Sequence, residues 1–499
     1  SSTDKDASSA FLKYADFSHY ADYFNGMEDE NIVQAISNAK ASEWMEENIP
    51  LFECPQHNFE EMYYYRWWSL RKHIKETPVG YGMTEFLVQR SYSDKYNLIA
   101  CAIGHHIYES RWLRDPKYLD QIIHTWYRGN DGGPMKKMDK FSSWNADAVL
   151  ARYMVDGDKD YLLDMKKDLE TEYQRWERTN RLKNGLYWQG DVQDGMEESI
   201  SGGRRKKYAR PTINSYMYGN AKALSCIGIL SGDEGMAMKY GMRADTLKNL
   251  VENELWNTRH QFFETMRTDS SANVREAIGY IPWYFNLPDT AQKYEIAWKE
   301  IMDEKGFSAP YGLTTAERRH PEFRTRGVGK CEWDGAIWPF ASAQTLTAMA
   351  NFMNNYPQTV LSDSVYFRQM ELYVESQYHR GRPYIGEYLD EMTGYWLKGD
   401  QERSRYYNHS TFNDLIITGL IGLRPRLDNT IEVNPLIPAD KWDWFCLDNV
   451  LYHGHNLTIL WDKNGDRYHC GKGLRIFVDG KEVGQANTLT KIVCENALK

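Results

Sequence analysis

From about residue 28 to residue 422 the chain repeats a two-part texture: an apolar stretch rich in small residues, a short polar turn, then a more charged amphipathic stretch. Residues 94–113 precede 117–128, residues 145–155 precede 160–178, residues 215–230 precede 234–255, and residues 338–354 precede 361–378. Spacing near 3.6, broken by turns such as Asp-Gly-Asp-Lys-Asp and Ser-Gly-Asp-Glu, predicts helix pairs in which the first member is buried all round and the second on one face. An inner ring of buried helices inside an outer ring of amphipathic ones, an (α/α)6 toroid, has this pattern, so the predicted class is mostly α. Capping chemistry at Asp29 predicts a further helix running to Ile49. After Pro425 the texture alternates apolar with polar at 430–434, 456–461 and 474–478, separated by His453-Gly454, Asn464-Gly465 and Asp479-Gly480. That predicts antiparallel strands joined by hairpins. The expected organisation is a helical domain over residues 1–424, with an N-terminal lead-in, and a β appendage over 425–499 packed against it.

A chain of 499 residues exceeds what one ordinary core supports, which agrees with a large ring or two domains. Its 60 Lys and Arg against 70 Asp and Glu leave a formal charge of −10, which argues against nucleic acid as a partner. No apolar run is long enough to predict a membrane span. The seven cysteines are scattered without a Cys-x-x-Cys pair, so neither a disulfide framework nor a metal site is expected, and no motif calls for a cofactor. The polar, Ser-rich first residues resemble the start of a mature exported chain, and a secreted or periplasmic location is the expectation. Aromatics make up 14% of the residues, clustered at 63–68, 283–285, 406–407 and 442–445. Such rings stack on sugar faces, and they also fill wide gaps between helices; both roles are open at this point.

Four connections between helical stretches concentrate charge and aromatics: 90–94, 190–218, 330–340 and 380–394. The second places Asp191, Asp194, Glu197 and Glu198 around Gly195, followed by Gly202, Gly203 and the basic run Arg204 to Lys207. In a ring of helix pairs the loops at one end converge, so carboxyl groups on two of them can face each other across a ligand. Glycoside hydrolysis needs that arrangement, one carboxylic acid for the leaving oxygen and one carboxylate to activate water. No His-Glu-x-x-His, P-loop or nucleophile elbow competes.

The order of these motifs resembles the (α/α)6 glycoside hydrolase clan of trehalases, processing α-glucosidase I and mannosylglycerate hydrolases, families 37 and 63, over roughly residues 85–423. Ser93-Asp94 resembles a segment that holds the terminal sugar. Asp194-Gly195-Met196-Glu197-Glu198-Ser199 resembles the motif carrying the general acid, and Asn214 to Tyr218 the segment that follows it. Trp333-Asp334 to Trp338-Pro339 resembles the clan's Trp-rich segment, and Glu387-Tyr388-Leu389-Asp390 falls where its base stands. The resemblance implies an inverting, exo-acting hydrolase of a terminal, favoured α-linked, sugar on an oligosaccharide or polysaccharide fragment. It implies Glu197 as acid, with Asp194 as the alternative, and Glu387 as base, with Asp390 and Glu391 close enough to compete. Asp94, Asn214, Trp333, Asp334, Trp338 and Tyr388 are the implied sugar-binding residues. Inversion would set the two carboxyl groups about 6.5–9.5 Å apart. Glu197 stands where the clan has Asp, and Met196 replaces its aromatic residue.

Two other classes stay open. An epimerase or polysaccharide lyase on the same ring would use His or Tyr for proton transfer, with His105, His106, His379 and His409 available. A sugar-binding protein without catalysis would not need Glu197 and Glu387 to share a cleft.

Overall fold

The computed structural model describes residues 11–499. Helix α1 (His57–Arg71) carries the aromatic run Tyr63 to Trp68, and every ring of it is buried. Tyr63 and Tyr64 donate to Pro50 O and Phe52 O at 2.8 and 2.7 Å, while Arg66 donates to Gln377 and Ser410. Trp442 packs edge-on against Phe59 and Phe367, and Trp283 is enclosed by Phe263 and Trp298. Of the two roles open to the aromatic clusters, packing is the one these rings take, while Tyr407 of the cluster at 406–407 lines a cavity.

The expected helix pairs are present: α2 (Ile103–Ser110) with α3 (Lys117–Arg128), α4 (Asn145–Asp156) with α5 (Lys166–Asn180), α6 (Pro211–Leu230) with α7 (Glu234–Leu250), and α8 (Pro339–Asn355) with α9 (Asp363–Ser376). Their burial follows the two textures. Helix α6 is buried almost all round, whereas α7 buries only the stripe Met236, Tyr240, Ala244 and Leu247. Helix α5 likewise buries Leu169, Tyr173, Trp176 and Asn180, one side chain per helical turn. No helix among the described residues is long and apolar enough to cross a membrane.

The helix expected over 160–178 is split at Met165 into Lys159–Asp164 and α5, and two others are shorter than expected. The first spans only Asn38–Asn48, because the acids ahead of it serve as ties instead of as its first turns. The Glu30 carboxylate accepts the Asn38 N–H at 2.7 Å, and Ala35 N–H is drawn to Ile74 O at 3.0 Å. The second begins as a bend rather than at Asp94. Tyr96 and Asn97 have left-handed backbone, and the Asn97 amide donates to Phe86 O and Val88 O before α2 starts at Ile103.

After α9 the chain forms a five-stranded antiparallel sheet in the order β1 (Leu51–Glu53), β2 (Trp444–Tyr452), β3 (His455–Asp462), β4 (Gly473–Val478), β5 (Lys481–Ala486). The hairpin tips His453-Gly454 and Asp479-Gly480 have positive φ at both residues, the type I′ geometry that suits the strand twist. Ile431–Val433 pairs separately with Ile492–Cys494. A strand of this sheet that no turn signal in the sequence announces is β1, which comes from the N-terminal lead-in and pairs Leu51 with Asp448. At three residues it is too short to show a period.

Helix α2 passes close enough to the start of α4 that a Cβ on Gly104 would overlap the Trp144 indole. Gly104→Val is therefore expected to lower stability by about 1–3 kcal/mol, as overpacked cores do, read as a lower midpoint in urea unfolding; an unchanged midpoint would show that this contact does not hold α2.

Candidate active site

A cavity of about 450 Å3 opens where the loops ahead of α2, α4, α6 and α8 meet the segment after α9. Its wall includes Glu197 from the second acidic loop and Glu387 from the last, together with Glu85, Trp338, Phe340 and Tyr407. A second cavity, of about 400 Å3, is bordered by Arg111, Asp147, Asp414 and Arg424. There Arg111 binds Asp414 at 2.7 Å, Asp147 accepts from Tyr108 at 2.6 Å and Arg424 donates to Asn351 at 2.6 Å, so each charged group has a polar partner.

The loop bearing Glu197 is the tip of a two-stranded ribbon, Trp188–Gln189 against Tyr208–Ala209. It opens with a 3-10 turn over Asp191–Asp194, and left-handed Gly195 reverses the chain so that Met196 N–H reaches Asp191 O at 2.9 Å. Asp194 does not face the cavity. Its fully buried carboxylate accepts from Arg210 Nε at 2.7 Å, Thr212 Oγ1 at 2.6 Å and Ser142 Oγ at 2.5 Å. Burial pushes the Asp194 carboxyl up, and Arg210 and the two hydroxyls pull against that. Asp194 thus fastens the loop to the N-terminus of α6, and of the two alternatives for the acid only Glu197 reaches the cavity. Burial also pushes the Glu197 carboxyl up, to about 7; the fields of Glu387 and Asp191 add to this, while its own backbone N–H and Arg204 oppose it.

Glu387 is held by a narrow ladder. Leu389 exchanges backbone hydrogen bonds with Ile337 at 2.9 and 3.1 Å, which sets the last loop beside the Trp-rich segment. Glu387 is buried, with Lys398 Nζ at 3.5 Å and Cys331 Sγ at 3.9 Å. Its neighbours in sequence are engaged elsewhere: Asp390 accepts from the N–H groups of Met392 and Thr393, and Glu391 pairs with Arg324. Trp333, Trp338 and Tyr388 form a stack with ring centroids 4.5 and 4.6 Å apart, of which Trp338 borders the cavity.

The other expected sugar-binding residues are not at the cavity wall. The Asp94 carboxylate accepts the N–H groups of Lys95 and Lys137, at 2.7 and 2.5 Å. Asn214 bonds the backbone of Tyr187 and Arg210. Asp334 accepts the N–H groups of Arg326 and Gly327 at 2.6 and 3.1 Å, and the Tyr388 hydroxyl donates to Lys330 O. Trp333 lies behind Trp338 as the next ring of the stack. These polar side chains tie the loops that carry the site. Among the histidines, His105 and His106 are buried against Phe340 O and Asn408 O, and burial lowers them to about 3 and about 4. His379 sits beside Asp400 at 3.3 Å. Only His409 of the four borders the cavity.

Glu85 is the carboxyl that sequence reasoning missed, since it stands alone in Thr84-Glu85-Phe86 with no motif around it. It accepts from Cys101 Sγ at 3.3 Å and Tyr407 Oη at 3.2 Å. Burial, reinforced by Glu387 and Glu197, pushes it up to about 8.

Residues 95–410 match the family described as the mannosylglycerate hydrolase MGH1-like glycoside hydrolase domain, and residues 423–484 match the C-terminal domain of glycosyl hydrolase family 65. A solved chain named sialidase is 95% identical with a TM-score of 0.99; it covers all of this chain, which in turn spans 46% of that one. A family 63 mannosylglycerate hydrolase from Thermus thermophilus, solved with glucose, is 12% identical over 71% of this chain and 99% of its own, with a TM-score of 0.53. A family 78 rhamnosidase from a Bacillus species is 11% identical over 86% of this chain and 41% of its own, with a TM-score of 0.57.

Removing one partner of a buried ion pair strands the other charge, at about 3–5 kcal/mol. Arg210→Ala is expected to lose that much stability, and Asp194→Asn combined with Arg210→Met is expected to lose less. Denaturant unfolding of the two variants checks this, and equal losses would show that the pair is not coupled.

Proposed function

Because the chain belongs to the mannosylglycerate hydrolase MGH1-like glycoside hydrolase domain family, we propose that it hydrolyses a terminal glycosidic bond of an oligosaccharide or polysaccharide fragment with inversion. In this reading Glu197 is the general acid and Glu387 the general base. The observation that carries it is that two carboxyl groups from separate loops border one cavity in contrasting surroundings. Glu197 is desolvated and titrates at about 7, which suits a proton donor near neutral pH. Glu387 is ion-paired to Lys398 at 3.5 Å, which suits a carboxylate that takes a proton from attacking water.

The paired helices, with one member enclosed and the other amphipathic, support an (α/α)6 ring among the residues before Pro425, and the change of texture after it supports a C-terminal β appendage that takes its edge strand β1 from the N-terminal lead-in. A cavity of about 450 Å3 has room for a small number of sugar units, and its small volume, walled by loops from five connections, supports exo action. Trp338, stacked between Trp333 and Tyr388, supplies apolar wall to the cavity. The name sialidase describes a chain of which this one is 46%, and sialic acid is not carried over as the substrate.

The acid works only while protonated. Its raised pKa means that kcat/KM is sustained below about pH 7 and falls as pH rises through about 7. Against aryl glycosides, Glu197→Gln and Glu387→Gln are each expected to lose about 10²–10⁴-fold in turnover, and Glu197→Gln to lose the alkaline limb as well. Full turnover in both variants would refute the assignment. Proton NMR of the first-formed anomer checks inversion, and an anomer of retained configuration would replace it with a double displacement.

A further inference from the structure

The cavity is basic in a protein whose formal charge is −10. Arg90, Lys140, Arg204, Lys330, Lys398 and Arg403 all border it, against three carboxyl groups, Glu85, Glu197 and Glu387. Lys398 stands on Glu387 at 3.5 Å and Lys330 on Glu198 at 4.0 Å. Among the described residues the other four cations have no carboxylate within ion-pair distance. Neutral groups hold three of them instead. The Arg90 guanidinium lies over the rings of Phe86 and Tyr92, 5.4 Å from each, and the Lys140 ammonium donates to Tyr92 O at 3.1 Å and stands 5.7 Å from the same ring. Arg403 Nε donates to Gln401 at 3.0 Å. Burial moves Glu85 to about 8 and Glu197 to about 7, so at neutral pH Glu85 is mostly protonated and Glu197 only partly ionised, and the six cations still outnumber the ionised acids.

Like charges gathered in a partly desolvated pocket repel one another, and a ligand of opposite charge relieves that repulsion. A neutral sugar does nothing to relieve it. Guanidinium and ammonium groups bind carboxylate or sulfate through charge-assisted hydrogen bonds stronger than those to hydroxyl groups. We propose that this site takes an anionic glycan, a sugar acid or a sulfated sugar, and that Arg90 and Lys140, flanking Tyr92, grip its negative group. The inference names the substrate class of the hydrolase reading and rests on that reading for the cleavage, though not for the binding.

The test is equilibrium binding to the whole chain of three trisaccharides: galacturonate, its carboxyl-reduced neutral counterpart, and a galactose trisaccharide carrying sulfate esters. At least one acidic ligand is expected to bind about tenfold or more tighter than the neutral one, with the preference shrinking as salt is raised. Arg90→Gln with Lys140→Gln is expected to abolish the preference while neutral binding and the melting temperature hold. Preference for galacturonate alone identifies a carboxylate site, and preference for both identifies a site that reads charge. Equal binding of all three, binding of none, or a preference that survives the double substitution overturns the proposal. Turnover of aryl glycosides in the same samples separates the two claims: acid-selective binding without any turnover sinks the hydrolase reading alone, and turnover of neutral glycosides without acid preference sinks this one alone.

Discussion

The buried pair between Asp194 and Arg210 is the interaction on which the site depends. The loop from 190 to 209 carries Glu197 but has glycine at 190, 195, 202 and 203 and four consecutive basic residues, so little in its own sequence fixes its path. What fixes it is one carboxylate with three donors and a guanidinium that also reaches Ser201 Oγ at 3.2 Å. Arg210 stands immediately before Pro211, the first residue of α6, so the loop inherits the rigidity of the most enclosed helix. A buried ion pair is worth having only when its remaining hydrogen-bonding capacity is met, which holds for the Asp194 carboxylate, while Arg210 Nη2 is left without a partner among the described residues.

Two acids of one residue type then acquire different surroundings from position alone. Glu197 is set among other carboxyl groups with few compensating donors, and Glu387 is set against an ammonium. A third carboxyl, Glu85, bonded to a thiol and a phenol, is held protonated near neutral pH. The histidines close to this region are neutral through burial, which leaves the carboxyl groups as the titrating machinery of the cavity.

The helix pairs were legible because a 3.6-residue period survives in stretches as long as α6 and α7, and the hairpins because Asp-Gly and His-Gly report their own turn geometry. Strand β1 and the bend at Tyr96 and Asn97 were not, since three residues carry no period and a side chain bonding to a distant carbonyl leaves no local trace. At the site, Glu197 and Glu387 were visible as acids on loops in the right order. Asp94, Asn214 and Asp334 lie off the cavity wall for a physical reason: a polar residue next to a functional loop is as useful for tying backbone groups as for touching a sugar, and all three make such ties. The cavity's basic lining was hidden because its members come from five loops, each contributing one or two residues.

The central claim is that Glu197 gives a proton to the leaving group and Glu387 takes one from water. Leaving-group dependence reads those roles directly. With aryl glycosides of decreasing phenol pKa, Glu197→Gln should recover toward wild-type turnover as the leaving group ceases to need protonation, and Glu387→Gln should stay slow throughout. Recovery in Glu387→Gln with none in Glu197→Gln would reverse the two roles, and recovery in neither would contradict the account.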